Sequence, residues 1–516
     1  MRRQSWMILL SGILVLAAAP GFGEVKPHIL FTDHLVLQQG MSVPVWGTAD
    51  DGEEVTVEFQ GHTISTTAED GKWKVELEPM EAGGPYEMLI RGKNHEVRLN
   101  DVMIGEVWIC SGQSNMQWSV AASHNAEAEI QAADYPNIRM YTIPRIISPE
   151  PLETISREGR NEQELQWLQV TPETIGRFSA VGYYFGRHLH EALDVPIGLI
   201  STNWGGTPAE AWTSKEGLAS HPQLAKLTEE WEQRIATYEK ELAKWQEETD
   251  RLTASAGGQE VELPKKPDDP NRNPWRASGL FNAMINPLIP YAIQGAIWYQ
   301  GESNASRAQE YQLLFRTMIQ DWRNQWKQED MAFLFVQLAN FNPRNMKEDA
   351  WAELREAQHM AMDLPHTGMA VTTDIGDPED IHPRNKQEVG RRLALAALEG
   401  TYGKDIVSSG PLYKDMEIKD GEVHIIFDEY ANCGLYYKDA PELRGFTIAG
   451  ENGNFVEADA RIVGNTVVVS SPEVKNPRIV RYNWHNNPTG NLYNMYGLPA
   501  APFRTDFPEI PEIGNR

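Results

Sequence analysis

Ser114 lies in a setting that suits a catalytic nucleophile. It belongs to the small-residue segment 112–117, which follows the apolar run 106–110. A strand that ends in such a turn, just before a helix-compatible stretch, presents the hydroxyl at the C-terminal edge of a parallel sheet, where open α/β sheets place their active sites. Because a serine hydroxyl is a poor nucleophile at neutral pH, it needs a base and a group that orients the base.

Two later segments supply the missing groups. Residues 298–304 follow an apolar run and carry amide side chains, and residues 380–386 carry His382. A histidine can act as the general base, and amides can donate hydrogen bonds to a developing oxyanion. Asp380, two residues before His382, is the first choice for the orienting group. The alternative is a serine–histidine dyad assisted by a backbone carbonyl.

Together these segments resemble the SGNH hydrolase superfamily and, within it, the sialate O-acetylesterase family and its carbohydrate-acetylesterase relatives. The resemblance extends from about residue 27 to residues 502–504. The residues that it implies are Ser114 as nucleophile, Gly205 or Gly206 as the glycine block, Gln300 or Asn304 as the amide block, and His382 as base. It also implies that the reaction needs no cofactor.

The sequence departs from the superfamily pattern at two points. Many SGNH enzymes have an aspartate three residues before the histidine, where this chain has Glu379. Their amide residue is usually an asparagine close behind a glycine, and residues 301–304 differ from that spacing. Both Gln300 and Asn304 therefore remain candidates, and the alternative for Asn304 is a helix N-cap. With backbone N–H groups of Ser114 and a glycine, an amide would complete an oxyanion hole, in which one donor is worth ~3 kcal/mol.

The function that the resemblance implies is a secreted serine esterase that hydrolyses O-acetyl esters of carbohydrates, with O-acetylated sialic acid as the first substrate. An acetylesterase acting on xylan or another glycan is the alternative, and an inactive carbohydrate-binding protein is the alternative of another class. Gln113 and Glu302 join the oxyanion or substrate-binding set. Glu302 with Asp380 could also indicate a glycosidase carboxylate pair, but the serine and histidine blocks favour the esterase.

A sialic acid carboxylate would require a cation, preferably a bidentate guanidinium. Arg384 is the first choice because it lies two residues beyond His382, and Arg276 is the second. The alternative role for Arg384 is an ion pair that braces the histidine loop.

Composition limits the partners. The 516 residues include 46 Lys and Arg and 73 Asp and Glu, a formal net charge of −27. Such a charge repels nucleic acid and anionic membrane surfaces. His188 and His190 point to different faces of a predicted helix, and no other segment has the spacing of metal ligands. The oligomeric state cannot be read from the sequence.

The predicted fold class is α/β, with an SGNH-type, flavodoxin-like parallel sheet core between two β-rich domains. Short alternating strands predict an N-terminal β-sandwich at residues 24–100. Buried-type strands alternating with helices predict the hydrolase core at 101–401, with a helical insertion at about 215–274. Strand signals return in a C-terminal β-rich domain at 402–516.

Residues 1–23 carry Arg2 and Arg3, an apolar stretch and then small residues. This is the pattern of a cleaved secretory signal, and it is too short for a stable membrane span. We therefore expect a secreted or periplasmic protein that has no membrane contact after cleavage.

Overall fold

The computed structural model describes residues 24–157, 165–256 and 260–512. The predicted signal segment, residues 1–23, lies outside the described residues. The helices are α1 (Ser114–Gln117), α2 (Ala126–Gln131), α3 (Ala180–Leu193), α4 (Lys215–Ala219), α5 (Pro222–Ser255), α6 (Ala308–Trp326), α7 (Ala350–Met360) and α8 (Lys386–Gly400). No helix among these residues is long and apolar enough to cross a membrane.

The strands of the first half are β1 (Lys26–Pro27), β2 (Val36–Gln38), β3 (Val43–Thr48), β4 (Glu54–Phe59), β5 (His62–Thr67), β6 (Lys72–Leu77), β7 (Gly83–Arg91), β8 (Glu96–Gly112), β9 (Tyr135–Thr142), β10 (Leu168–Val170) and β11 (Ile197–Asn203). Those of the second half are β12 (Gly295–Tyr299), β13 (Ala332–Gln337), β14 (Thr367–Val371), β15 (Tyr413–Lys419), β16 (Glu422–Phe427), β17 (Leu435–Tyr437), β18 (Phe446–Ala449), β19 (Val456–Glu457), β20 (Asp459–Val463), β21 (Thr466–Ser470), β22 (Ile479–Tyr482), β23 (Leu492–Asn494) and β24 (Phe503–Arg504).

Within the described residues, six parallel strands form the central sheet, in the order β9-β11-β8-β12-β13-β14, and β10 adds an antiparallel edge. The predicted parallel α/β core is therefore present. The strand order differs from the flavodoxin-like prediction, in which the second core strand lies beside the first. Here β9, the second core strand along the chain, lies at the outside, and β11 lies between β9 and β8. After β11 the chain crosses to the other side of β8. A crevice is expected where such connections diverge, at the carboxyl ends of β11, β8 and β12.

One long strand joins the N-terminal domain to the core. The first half of β8 pairs with β7 in the N-terminal domain, and its second half, residues 106–112, pairs with β11 and β12. The predicted boundary at residue 100 thus falls inside a continuous strand. The apolar side chains of both regions belong to one buried cluster, whereas the C-terminal domain has its own.

The predicted helical insertion is built around α5, whose 34 residues lie inside the predicted bounds of about 215–274. Only its first turns are buried, through Leu224, Leu227 and Trp231. Farther along, the returning chain covers the apolar stripe, since the Trp245 indole N–H donates to the Pro264 carbonyl at 2.8 Å. The insertion is therefore anchored to the core at one end.

A buried arginine ties the C-terminal domain to the core. The Arg355 guanidinium, on α7, donates to the carbonyl groups of Leu338 and Ala339 in the core and to those of His485 and Asn486 in the C-terminal domain, all at 2.7–2.8 Å. Replacing it would leave the carbonyl groups of Leu338 and His485 unpaired. Ala339 would keep the Trp351 indole N–H, and Asn486 would keep the Phe341 N–H.

We predict that Arg355→Met lowers the thermal unfolding midpoint by about 5 °C or more, because each buried acceptor left unpaired costs about 1–3 kcal/mol. The midpoint can be measured by differential scanning fluorimetry. Arg444→Met is the control, since its ion pair with Glu442 is long, 3.9 Å, and exposed. Equal midpoints for both variants would contradict this bridging role.

Candidate active site

The turn after β8 holds Ser114 in place. Gly112 has φ +137°, and a Cβ there would lie 2.2 Å from the Tyr299 carbonyl oxygen, so only glycine fits. The next N–H, of Gln113, donates to that same carbonyl at 2.9 Å. Ser114 then begins α1, which leaves its N–H without an intrahelical acceptor.

Gln113 braces the turn from behind. Its side chain is buried, and its Oε1 accepts from the N–H groups of Gly301 at 3.4 Å and Ser303 at 3.3 Å. The predicted substrate-binding role is thus replaced by a contact between the serine turn and the loop after β12.

Ser114 and His382 line the same cavity, of about 560 Å³, at the carboxyl ends of the central strands. Gly205, Asn203 and Trp118 also line it. The structure therefore brings the predicted nucleophile and base to one opening. Among the described residues no hydrogen bond joins the Ser114 hydroxyl to the His382 ring, and such bonds often form only when substrate is bound.

His382 is held between an aromatic ring and a carboxylate. Its ring stacks on Trp118, with centroids 4.9 Å apart and planes 15° apart. Its Nδ1 lies 3.6 Å from Asp380 Oδ1, which also accepts the His382 backbone N–H at 2.9 Å. Burial lowers the pKa of His382, as does Lys386, while Asp380 opposes the shift. The imidazole is thus favoured in the neutral form that a base requires.

The two predicted glycines behave differently. Gly205 lines the cavity, and a Cβ there would approach the Ser114 Cβ to 3.2 Å. Its N–H, however, already donates to Gln117 Oε1 at 2.8 Å. Gly206 has φ +74° and forms the turn beyond, outside the cavity lining. The absence of a side chain at Gly205 therefore lets this backbone lie close to Ser114.

Neither predicted amide reaches the cavity. Asn304 is fully buried, accepts from the Ala209 N–H and from Gln300 Nε2, and donates to Glu210. Gln300 is fully buried as well, and its Oε1 accepts from the Tyr311 hydroxyl at 3.0 Å. These partners satisfy both amides and hold the loop after β12 against residues 207–210.

Asn203 is an amide that our sequence analysis missed. It ends β11 opposite Gly112 and lines the cavity, where its Nδ2 donates to Ser201 Oγ at 2.8 Å. Asn203 could have been predicted from the register between β11 and β8. Parallel pairing places the last residue of β11 beside the residue that opens the serine turn.

A buried polar cluster lies behind the serine turn. Asn115 Nδ2 donates to Glu302 Oε1 at 2.6 Å and to the Ile381 carbonyl at 3.0 Å, and its Oδ1 accepts from Lys386 Nζ at 2.6 Å. Burial raises the pKa of Glu302 and lowers that of Lys386 to about 7. Asn115 therefore joins the serine turn to the loop that carries His382.

This cluster changes the interpretation of Glu302. Its carboxylate is buried behind the turn and does not line the cavity. A glycosidase needs both carboxylates of its pair beside the substrate, so Glu302 and Asp380 do not form such a pair here. Its Oε1 is used to hold Asn115.

Neither predicted carboxylate-binding arginine lines the cavity. Arg384 is exposed, and its backbone carbonyl accepts from the His124 N–H at 2.9 Å. Arg276 lies in the chain that returns from the insertion, where it donates to Asn271. Proximity in sequence to His382 did not place the Arg384 side chain at the opening. Within the described residues, no group of three His, Cys, Asp or Glu side chains could hold a metal ion.

A parallel sheet that brings a serine turn and a histidine to one opening places the chain in the α/β class, with side chains suited to acyl transfer. The family model described as carbohydrate esterase, sialic acid-specific acetylesterase, matches residues 271–399. The chain is 33% identical to mouse sialate O-acetylesterase over 77% of its length and 78% of the relative's. It is 31% identical to the human sialate O-acetylesterase, over 94% and 96% of the two chains.

A solved structure agrees with these relatives. The crystal structure of a carbohydrate acetylesterase from Xanthomonas citri is 35% identical and superimposes with a TM-score of 0.79, over 93% of this chain and 99% of that one. The chain belongs to the sialate O-acetylesterase family and is a carboxylic ester hydrolase.

We predict that kcat/KM falls as pH drops through a pKa below 6.5, because the base must be neutral and burial lowers the pKa of His382. Asp380→Asn should move this acid limb to lower pH, since the carboxylate favours the imidazolium. Lys386→Met should move it to higher pH, since Lys386 is protonated over that range. Glu379→Gln, which changes a nearby exposed carboxylate, is the control.

The measurement is the pH profile of kcat/KM for p-nitrophenyl acetate. Shifts of the same sign for Asp380→Asn and Lys386→Met, or an acid limb above pH 6.5 in the unsubstituted enzyme, would contradict this assignment of the base.

Proposed function

We propose that this chain is a serine esterase that removes O-acetyl groups from a carbohydrate, with O-acetylated sialic acid as substrate. The observation that carries the proposal is the shared cavity of Ser114 and His382. It is supported by the relatives named sialate O-acetylesterase.

The proposed reaction has two halves. His382 takes the proton of the Ser114 hydroxyl as the serine oxygen attacks the acetyl carbonyl carbon. The tetrahedral intermediate collapses, the bond to the sugar oxygen breaks, and His382 returns the proton to that oxygen, which leaves as an alcohol. Water, deprotonated by His382, then attacks the acetyl-enzyme, and acetate and free Ser114 are formed.

Donors for the oxyanion are available beside Ser114. We assign this role to the Ser114 N–H and to the Asn203 side chain, since the first lacks an intrahelical acceptor and the second lines the cavity. Asp380 positions His382, as expected from the ion-pair distance of 3.6 Å.

A second candidate substrate is the O-acetyl group of xylan or another glycan. The similar solved structure from Xanthomonas citri is a carbohydrate acetylesterase, which supports this second candidate. An inactive carbohydrate-binding protein is disfavoured, because the nucleophile, the base and an amide all reach one cavity. We further propose that residues 1–23 direct export, so that the enzyme acts in the periplasm or outside the cell.

We predict that Ser114→Ala lowers turnover of p-nitrophenyl acetate and of O-acetylated sialic acid by at least ~10³-fold, since no other nucleophile would replace the hydroxyl. Ser111→Ala is the matched control. Ser111 lies inside β8, and its buried hydroxyl has no hydrogen-bond partner among the described residues. Circular dichroism should show both variants folded. A Ser114→Ala enzyme that keeps more than a few per cent of activity would refute the assignment.

Chelation should leave activity unchanged, because the proposed chemistry needs no Lewis acid. The test is dialysis against EDTA followed by the p-nitrophenyl acetate assay. Inhibition that added zinc or calcium reverses would contradict this expectation.

A further inference from the structure

The cavity around Ser114 differs in charge from the rest of the molecule. Two arginines, Arg145 and Arg177, line it together with Ser114 and His382, and no aspartate or glutamate is among its lining residues. The whole chain, by contrast, has 73 acidic against 46 basic side chains. A local excess of cations in an acidic protein favours an anionic ligand at this opening.

The two arginines come from segments that are fixed around the serine. Arg145 follows β9, in a loop where the Ile143 N–H donates to the Ser201 carbonyl at 2.9 Å. Arg177 precedes Phe178, whose carbonyl accepts from the Val120 N–H at 3.1 Å. The backbone of each arginine is thus tied to β11 or to the loop that follows α1.

Both guanidinium groups are available to a ligand. Arg145 and Arg177 are exposed, and neither forms an ion pair or side-chain hydrogen bond within residues 24–157, 165–256 and 260–512. Other arginines of the core differ, since Arg307 pairs with Glu210 at 2.6 Å and Arg392 pairs with Asp374 at 2.6 Å. The two arginines that line the cavity therefore have guanidinium donors that a ligand can use.

We propose that Arg145 and Arg177 bind the carboxylate of an acidic sugar and so position its acetyl ester at Ser114. This inference rests on the proposed function and specifies its substrate as a carboxylated sugar, either a sialic acid or a uronic acid. A guanidinium fits a carboxylate with two parallel N–H···O bonds, and such charge-assisted bonds are about twice as strong as neutral ones.

The test compares matched esters. Arg145→Gln, Arg177→Gln and the double variant are assayed on O-acetylated sialic acid, on its carboxyl methyl ester and on p-nitrophenyl acetate. Each single change should raise KM for the acid by about tenfold with kcat within about threefold, and the double change should raise it further. The two uncharged esters should be unaffected. Arg384→Gln is the control, because that arginine is exposed but lies outside the cavity lining.

Two outcomes would overturn the inference. Equal losses on the acid and on its methyl ester would indicate a structural role, and unchanged KM on the acid would remove both arginines from recognition. The lysine variants Arg145→Lys and Arg177→Lys should retain part of the affinity, since charge remains but the bidentate geometry is lost.

The same assays separate this inference from the proposed function. If the unsubstituted enzyme cleaves O-acetylated sialic acid and the glutamine variants do so equally well, only the inference fails. If it cleaves p-nitrophenyl acetate and neutral acetylated sugars but neither O-acetylated sialic acid nor acetylated glucuronic acid, both fail. A preference for the uronic acid that depends on the arginines would uphold the inference and refute the sialic acid substrate.

Discussion

The way in which β8 ends is the constraint on which the site depends. The strand runs from the N-terminal domain through the centre of the parallel sheet and stops at Gly112, where the backbone takes a φ of +137° against the Tyr299 carbonyl. A side chain at that position could not be accommodated. Because the turn is confined in this way, Ser114 begins α1 at a defined point on the sheet edge, next to the ends of β11 and β12.

The second requirement is that the histidine loop keeps a defined distance from that turn. Asn115, the residue after Ser114, donates to the Ile381 carbonyl next to His382, and it also bonds to Glu302 and Lys386. Burying a lysine and a glutamate disfavours their charged forms. The cluster therefore costs folding free energy unless its members are paired. A network of this kind is expected where catalytic geometry must be maintained.

The sequence predicted the parts of the molecule whose local signals agree with their tertiary role. β12 and β13 are continuous apolar runs, and α5 shows its helical period clearly. β9 was not predicted, because Pro136 and Arg139 interrupt its apolar pattern. Arg139 is nevertheless buried, since Asp101 from β8, on the far side of β11, pairs with it at 2.6 Å. The partner that allows Arg139 to be buried comes from another segment of the chain, so a local sequence pattern cannot predict it.

The same distinction applies to the site. Ser114 and His382 carry recognisable flanking residues, and the structure brings them to one cavity. Gln300 and Asn304 have the right chemistry, but their partners come from residues 207–210 and α6, which sequence reasoning could not place. Asn203, Arg145 and Arg177 have ordinary local surroundings. Only the parallel register and the packing of loops around the serine turn place them at the opening.

Covalent labelling would show whether Ser114 is the nucleophile of this cavity. The protein would be treated with a fluorophosphonate ester, and the modified peptide would be identified by mass spectrometry while residual esterase activity is followed. We expect a single adduct on Ser114 that forms in proportion to the loss of activity, and no adduct in Ser114→Ala. Full inactivation with the adduct on another residue would contradict it, as would a labelled Ser114 in an enzyme that remains fully active.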